Sequence, residues 1–337
     1  MRGTKILTDR QLKFSVIIPA YNASKTLQRC LDSILSSNYL ALEVVVVDDG
    51  SSDATAQIVR EYASGDSRIQ LMIQKNAGPA AARNKGMEHA AGDIIAFVDS
   101  DDMIEPNYFE ELNQVFQKTN ADVVFFEFAR VTENDSVISR HKLPELRADY
   151  YRNLMSLSEA DTFGYTWVKA FRRSVISDVR FKENMMLFED ELFTLDALKK
   201  PLKMYYLQKE LYHYVCAGST SLARRTHQNY QELCDIVYCA WKELLNNKID
   251  GTLFLKEKAS HLSFVCKYYG LERVKNPMEF FRSMSECAFL KDGMPEDRFL
   301  AHIREKHWWA VRKFLLLYKM QVYISKAVKK EHGNPGL

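Results

Sequence analysis

Short apolar runs alternate with amphipathic segments through the first 130 residues of the chain. β-branched runs bounded by turn residues predict buried strands, and apolar residues at three- and four-residue steps predict helices. The predicted strands are residues 14–19, 42–47, 68–74, 93–98 and 122–128. The predicted helices are residues 24–35 with a cap at Asn22 or Ser24, a helix capped by Ser52 or Asp53, and two helices that begin at Gly78-Pro79 and at Pro106. This repeated β-α alternation predicts a mostly parallel sheet with helices on both faces.

After about residue 130 the pattern becomes mixed, and from about Thr226 almost only helical periodicity remains. Two short apolar runs, residues 203–207 and 211–215, are expected to pair as a hairpin. The long amphipathic stretches are residues 230–245, 254–269 and 302–330. We therefore predict an α/β domain over residues 1–225 and a helical region over residues 226–337.

The composition is that of a globular protein, with 47% hydrophobic and 27% charged residues among 337 and a net charge of +2. An acidic excess in the first 225 residues and a basic excess after them nearly cancel, and we expect no nucleic-acid partner. The six cysteines form no C-x-x-C pair and have no nearby H-x-x-x-H, so we expect reduced core thiols. The first ten residues lack the apolar stretch of a signal peptide, and no uncharged apolar run reaches 18 residues. We expect a cytosolic protein without a spanning helix.

Polar residues follow four successive predicted strands. These strand ends read Pro19-Ala-Tyr-Asn22, Asp48-Asp-Gly-Ser-Ser-Asp53, Asn76-Ala-Gly-Pro79 and Asp99-Ser-Asp-Asp102. Ligands of parallel α/β sheets bind at the carboxyl ends of the strands, so we expect a site at this edge. Five of only 13 glycines lie between Gly50 and Gly92, which indicates that tight turns cluster at the same edge.

Three carboxylates follow the fourth strand within four residues, at Asp99, Asp101 and Asp102. They repel one another unless a cation offsets them, and carboxylates with diphosphate oxygens are the shell that Mg²⁺ or Mn²⁺ prefers. The alternative is an acidic loop or helix cap before Pro106. The position directly after a buried strand, opposite a second aspartate pair, favours the metal site.

The other strand ends suit a nucleotide. Asp48 and Asp49 could form only a turn, but a carboxylate there could also accept hydrogen bonds from a ribose hydroxyl or a base N–H. Tyr21 offers a face for stacking a base, or else packs in the core, and Arg83 binds a phosphate or forms a structural ion pair. No G-x-G-x-x-G follows the first strand, which argues against a dinucleotide fold.

Taken in order, these segments resemble the signature of the family 2 inverting glycosyltransferases with the GT-A fold. The matching segments are Val16-Ile-Ile-Pro-Ala-Tyr-Asn22, Val47-Asp-Asp-Gly-Ser-Ser-Asp53, Ala81-Ala-Arg-Asn-Lys-Gly86, Phe97-Val-Asp-Ser-Asp-Asp102, Trp167-Val-Lys-Ala-Phe-Arg-Arg173 and Phe188-Glu-Asp-Glu-Leu-Phe193. The resemblance covers about residues 14–225 and no further. It implies an α/β GT-A nucleotide-diphospho-sugar transferase fold, here followed by a helical C-terminal region.

The resemblance also implies roles for individual residues. Tyr21 would stack on the base of a UDP-sugar, and Asp49 would bind the base edge. The other residues expected around the nucleotide are Pro19, Asp48, Arg83, Asp99, Ser100, Asp101, Ser219 and Ser221. Asp99 and Asp101 would form a D-x-D pair that shares the ribose and the divalent cation (Mn²⁺ or Mg²⁺) with Asp102, and which of the three ligates the ion stays open.

Asp190 would be the catalytic base, with Glu189 beside it. An inverting transfer needs one base to deprotonate the acceptor hydroxyl, while the metal stabilises the departing diphosphate. Ser219 and Ser221 belong to a segment that often closes over the diphosphate, although Val215 stands there in place of the usual arginine. Trp167 and Lys169 are expected to shape the acceptor site, with core packing as the alternative for Trp167.

Residues 302–330 carry a basic stripe at Arg312, Lys319, Lys326 and Lys330, opposite Phe314, Leu317, Ile324 and Val328. This helix either lies on an anionic membrane surface, where Trp308 and Trp309 suit the interface, or packs on the catalytic domain. The acceptor is expected to be a glycan or a lipid-linked glycan, and the protein to be cytoplasmic, with peripheral contact at the inner face of the cell membrane.

The sequence thus predicts a metal-assisted inverting glycosyltransferase, and family analogy suggests a role in surface polysaccharide biosynthesis. One alternative is a sugar-1-phosphate nucleotidyltransferase, which would need a glycine-rich, basic loop where this chain has Pro19-Ala-Tyr-Asn22. Another is a nucleotide-sugar-binding module without turnover, which the presence of both Asp101 and Asp190 disfavours.

Overall fold

The computed structural model describes residues 11–160, 162–185, 187–216, 229–246, 251–292 and 297–331, with side chains described to Tyr323 in the last helix. The chain divides into two compact units, Met1–Arg224 and Arg225–Leu337.

Within the described residues, the first unit contains a nine-stranded sheet. Its strands are β1 (Phe14–Ala20), β2 (Leu42–Asp48), β3 (Ile69–Ile73), β4 (Ile94–Phe97), β5 (Met103–Ile104), β6 (Val123–Val131), β7 (Val137–His141), β8 (Lys169–Arg172) and β9 (Met204–Val215). The order is β3-β2-β1-β4-β8-β6-β9-β5, with β7 paired to β6. β3, β2, β1 and β4 are parallel, as predicted. β8 runs antiparallel to both β4 and β6, so the complete sheet is mixed.

Helices pack on both faces of the parallel half, which confirms the predicted layering. The helices of this unit are α1 (Leu27–Leu35), α2 (Thr55–Gly65), α3 (Pro79–His89), α4 (Tyr108–Thr119), α5 (Tyr150–Glu159), α6 (Arg173–Ile176) and α7 (Glu189–Ala197), with a 3₁₀ turn at Thr166–Val168. Val44 and Val46 join the main core with residues of α1 and α4. Val45 and Val47 pack with Ala82 of α3 on the other face. Alternate residues of β2 are buried on opposite sides because side chains alternate along a strand.

The predicted helix caps are wrong. α1 and α2 begin later than expected, and neither has a side-chain cap. Asn22 instead accepts a hydrogen bond from the backbone N–H of Ser52 (2.9 Å), and Asp53 accepts one from the backbone N–H of Ser24 (3.1 Å). These side chains join the loop after β1 to the loop after β2.

The predicted hairpin at residues 203–215 is also wrong, because β9 is one continuous strand parallel to β6. The residues between the two apolar runs, Gln208, Lys209 and Glu210, include none of the glycine, proline or asparagine that a tight turn requires. A register shift beside Glu127 of β6 accommodates the polar stretch instead.

The second unit is helical in its described residues. Its helices are α8 (Tyr230–Leu245), α9 (Thr252–Glu272), α10 (Pro277–Met284), α11 (Ala288–Asp292), α12 (Arg298–Arg304) and α13 (Trp308–Glu331). The single helical stretch predicted over residues 302–330 is wrong, because the chain turns at Lys306, whose φ is +57°. Among the helices that the structure describes, none has the length and apolar character needed to cross a membrane.

The cysteines are unpaired. Cys30, Cys234, Cys266 and Cys287 are buried as predicted, whereas Cys216 and Cys239 are exposed, so the expectation of core thiols is wrong for these two.

Candidate functional site

The loops after β2 and β3 are joined at the carboxyl edge of the sheet. Gly50 has a φ of +73°, and a Cβ there would lie 2.8 Å from the backbone nitrogen of Asn76, so only glycine fits. The buried carboxylate of Asp49 accepts hydrogen bonds from the backbone N–H groups of Ala77 and Gly78, each at 2.8 Å. Asp49 therefore fixes the loop that leads into α3.

The other residues expected around the base lie at the same edge. Tyr21 follows β1 and is 47% exposed, which leaves its ring accessible for stacking. Asp48 is buried and accepts hydrogen bonds from the backbone N–H (3.1 Å) and hydroxyl of Ser51, so it closes its own turn. Pro19 pairs in register with Val47.

The three aspartates after β4 have different surroundings. Asp102 is 1% exposed, and its two oxygens accept hydrogen bonds from the hydroxyl of Tyr212 (2.7 Å) and the backbone N–H of Val215 (2.8 Å). Asp101 is exposed, and Asp99 is intermediate. Within the described residues, Asp99, Asp101 and Asp102 do not form one cluster of converging ligand atoms. Asp102 instead ties the end of β9 to this loop.

Arg83 joins three carboxylates from two distant segments. Its guanidinium lies 2.9 Å from Asp99 Oδ1, 3.4 Å from Glu189 Oε1 and 3.2 Å from Asp190 Oδ1. The Arg83 side chain is 6% exposed, whereas the carboxylates are 14–26% exposed. The sequence predicted Arg83 only as a phosphate ligand or one half of an ion pair. It is instead the centre of a cluster that connects the start of α7 to the end of β4.

The charges in this cluster do not balance, and the pKa values reflect this. Burial alone would lower the pKa of the Arg83 guanidinium, but the three carboxylates outweigh it and raise that pKa. Burial and the adjacent Asp190 charge raise the pKa of Glu189 to about 7, although Arg83 opposes the shift. Burial also raises the pKa of Asp190, again against Arg83. Asp101 is not in contact with Arg83, but desolvation of its carboxylate and the nearby Asp99 charge raise the pKa of Asp101 to about 6. The site therefore holds excess negative charge.

One carboxylate oxygen of Asp190 accepts a hydrogen bond, and the other accepts none. The Thr166 hydroxyl lies 3.2 Å from Asp190 Oδ2 and donates to it. Asp190 Oδ1 is buried, and it is close to Arg83 without the geometry of a hydrogen bond. A buried carboxylate oxygen without a donor is costly, and such atoms are often functional.

Aromatic packing fixes the start of α7. Phe193 stacks on Phe181 with ring centroids 4.0 Å apart, and both contact Phe97 of β4 edge to face. The helix that carries Glu189 and Asp190 is thus packed against the strand that leads to Asp99.

Trp167 and Lys169 are both buried in the core, a position that the sequence left open for Trp167 alone. Trp167 is 3% exposed and stacks on Tyr212 with ring centroids 4.5 Å apart. Lys169 is fully buried, and its ammonium donates to the backbone oxygen of Phe163 (2.9 Å). Trp167 supports Tyr212, whose hydroxyl donates a hydrogen bond to Asp102.

Two predicted residues cannot be placed, because Ser219 and Ser221 lie outside the described residues. Ser100 lies between Asp99 and Asp101 and is half-buried. Sequence reasoning missed Thr166 and Tyr212 as partners of the acidic residues. Their hydroxyl groups carried no local signal, since each contact joins residues from different parts of the chain.

The sequence is similar to those of known glycosyltransferases. Residues 15–180 match the model of glycosyl transferase family 2. The chain is 34% identical over 219 residues to the glycosyltransferase GlyA of Streptococcus pneumoniae serotype 4, covering 62% of this chain and 31% of GlyA. It is 31% identical over 231 residues to the uncharacterized glycosyltransferase YibD of Escherichia coli (strain K12), covering 66% of each. The matched segment thus spans about a third of the length of GlyA and about two thirds of the length of YibD.

The fold matches that of the solved structure of Staphylococcus aureus TarS 1–349 in complex with UDP-GlcNAc. The TM-score is 0.71 at 23% sequence identity, and the match covers 92% of each chain. The GT-A fold is therefore confirmed.

Proposed function

This chain belongs to glycosyl transferase family 2, and on that premise we propose that it transfers a sugar from a nucleotide diphosphate to a hydroxyl group of a carbohydrate acceptor, with inversion at the anomeric carbon. The observation that carries the proposal is the contact of Arg83 with both Asp99 and Asp190. It joins a candidate base to the strand edge where α/β proteins bind ligands.

The donor that we propose is a UDP-sugar. Support comes from the exposed ring of Tyr21, on which a base can stack, and from the shared fold with TarS, which has been solved with UDP-GlcNAc. Asp49 would lie at the edge of the base, and it fixes the loop there by accepting hydrogen bonds from the backbone N–H groups of Ala77 and Gly78. The remaining residues proposed around the nucleotide are Pro19, Asp48, Asp99, Ser100, Ser219 and Ser221.

Asp101 and Asp99 fit a divalent cation, Mn²⁺ or Mg²⁺. The exposed Asp101 carboxylate lies near the charge of Asp99, which helps to raise its pKa, and carboxylate oxygens suit both ions. When bound, such an ion stabilises the negative charge that develops on the diphosphate. Asp102 is left out of the proposed ligand set because Tyr212 and Val215 already occupy its oxygens.

Asp190 is the proposed base. The acceptor hydroxyl gives its proton to the Asp190 carboxylate while its oxygen bonds to the anomeric carbon, and the bond from that carbon to the diphosphate oxygen breaks. The Thr166 hydroxyl donates to Oδ2 and Arg83 lies beside Oδ1, and these two contacts fix the orientation of the carboxylate. The Arg83 charge favours the ionised form of Asp190 and opposes the effect of burial on its pKa, and Glu189 contacts the same guanidinium. One carboxylate suffices, because the leaving diphosphate needs no second acid.

The acceptor that we propose is a glycan or a lipid-linked glycan in surface polysaccharide synthesis, used at the inner face of the cell membrane. Support comes from α13, which exposes an apolar row made of Trp309, Leu316, Met320 and Tyr323. Arg312 and Lys319 are exposed along one side of this row. Such a helix suits an anionic lipid surface. The side chains of Lys326 and Lys330, which the sequence placed on the same basic stripe, lie outside the described residues.

A panel of nucleotide sugars tests the proposal. With Mn²⁺ or Mg²⁺ present, we expect slow release of a nucleoside diphosphate from one donor, and faster release when the acceptor is added. A nucleotidyltransferase would instead make pyrophosphate from a nucleoside triphosphate and a sugar 1-phosphate, and a module without turnover would bind a donor and leave it intact. Either result, or no binding of any donor, would contradict the proposal.

A further inference from the structure

The turn between α12 and α13 brings His302, Glu305 and His307 together. One ligand atom from each side chain lies within 4.8 Å of the other two, and no other such triple of His, Cys, Asp or Glu occurs among the side chains that the structure describes. Two imidazoles with one carboxylate form a ligand set for a first-row transition metal, above all Zn²⁺.

The backbone holds these residues in place. The N–H of His307 donates to the carbonyl of His302 at 2.8 Å, and the N–H of Trp308 donates to the carbonyl of Lys306 at 2.8 Å. Lys306 has a φ of +57°, which a lysine rarely adopts and which reverses the chain between the two helices. This turn places His307 beside a residue on the last turn of α12.

One ligand atom of the cluster has no partner, and one of the two neighbouring basic side chains is paired elsewhere. His302 Nδ1 is buried and has no hydrogen-bond partner, so a polar atom of the cluster is unsatisfied. Glu305 Oε2 lies 3.4 Å from His307 Nδ1. The ammonium of Lys306 pairs with Glu286 at 2.5 Å, which neutralises the charge of the nearest lysine. Arg304 lies 3.4 Å from the other oxygen of Glu305, and both of these side chains are more than a third exposed.

We propose that His302, Glu305 and His307 bind one Zn²⁺ ion, which ties the end of α12 to the start of α13. Three protein ligands leave a coordination position for water or for a further ligand. Mg²⁺ and Mn²⁺ prefer oxygen ligands, so this site differs in chemistry from the carboxylates of the first unit. Its occupancy would fix the direction of the helix that carries Trp309 and Leu316.

Titration of tag-free protein with Zn²⁺, followed by calorimetry or by competition with a chromogenic chelator, tests the site. We expect one tight equivalent in the wild type and its loss in His307→Ala. Glu305→Gln keeps the side-chain shape and is expected to weaken binding about tenfold or more. His89→Ala removes a histidine from α3 in the first unit and is expected to bind like the wild type.

A second readout uses Trp309, whose ring centroid lies 6.4 Å from that of His302. Cu²⁺, which binds imidazole more tightly than Zn²⁺, should quench its fluorescence in the wild type and not in His307→Ala. Circular dichroism establishes that each variant is folded. The proposal is overturned if folded wild type binds no Zn²⁺, or if His307→Ala and Glu305→Gln both bind it as tightly as the wild type.

Discussion

Arg83 Nη1 lies 3.2 Å from Asp190 Oδ1, and this contact joins α3 to the first turn of α7. The same guanidinium contacts Asp99 at the end of β4. One positive charge thus faces three carboxylates, which remain under-compensated. The arrangement explains why the pKa values of Glu189 and Asp190 are raised although an arginine is in contact with both.

Replacing Arg83 with methionine should strongly destabilise the first unit. Removing one partner of a largely buried ion pair costs about 3 kcal/mol or more, because the carboxylates remain without compensation. Thermal or urea unfolding measures the change. Arg68→Met is the control, since the Arg68–Asp66 pair is more exposed and should cost about 1 kcal/mol or less. Equal losses in the two variants would mean that the Arg83 cluster has no special role.

Asp190→Asn should leave donor binding largely intact and abolish transfer. An amide cannot take the proton of the acceptor hydroxyl, so kcat should fall about 10²- to 10⁴-fold. Donor affinity is measured by calorimetry and transfer by nucleoside diphosphate release with acceptor present. Asp196→Asn is the matched control on the same helix, because Asp196 pairs with Lys199 rather than with Arg83. Activity close to the wild type in Asp190→Asn would exclude Asp190 as the base.

The activity should depend on pH in a defined direction. Asp190 must be ionised to accept a proton, and burial raises its pKa. The value of kcat/KM should therefore fall as the pH decreases, with an apparent pKa above the ordinary aspartate value of 3.8. Glu189, with a pKa of about 7, loses its charge in the same direction. A profile that stays flat down to the ordinary aspartate range would contradict this assignment, provided that donor binding is constant.

The parallel half of the sheet was predictable because its signals are local. β1 and β2 are β-branched runs that end in turn residues, and each is buried along almost its whole length. The caps and the hairpin were not predictable in this way. Asn22 is a good cap by type, but Ser52 on another loop provides a competing hydrogen bond. The two halves of β9 resemble separate strands in the sequence because three polar residues interrupt the apolar pattern, and only the pairing of β6 with both halves identifies one strand.

The candidate site was predictable as a set of residues and not as a set of contacts. The strand-end pattern identified Asp99 and Arg83, and the family resemblance added Asp190. One guanidinium connects these residues because α7 packs against β4 through Phe193 and Phe97. The separate role of Asp102 depends on Tyr212 in the same way. Contacts between segments so far apart in the chain leave no local pattern in one sequence.

Asp101→Asn and Asp102→Asn should differ in effect. Asp101 is exposed and is a proposed metal ligand, so its loss should raise the Mn²⁺ concentration needed for half-maximal activity with little change in stability. Asp102 accepts two hydrogen bonds in the core, and an amide there would direct N–H groups at one of its donors. The cost should be about 1–3 kcal/mol of unfolding free energy. Metal titration measures the effect of Asp101→Asn, and thermal unfolding measures that of Asp102→Asn. If Asp102→Asn instead changed the Mn²⁺ requirement and Asp101→Asn lowered the stability, Asp102 would be the metal ligand and Asp101 the structural residue.

Binding to vesicles tests the exposed face of α13. Leu316→Glu with Met320→Glu places charges in the apolar row and should abolish binding to vesicles that contain anionic lipid. Arg312→Gln with Lys319→Gln removes two charges worth about 1 kcal/mol each, so affinity should fall about 30-fold. Leu253→Glu is the control, because Leu253 is 70% exposed on α9. If this control weakens binding as much as the α13 variants do, the effect is one of net charge and α13 is not the contact surface.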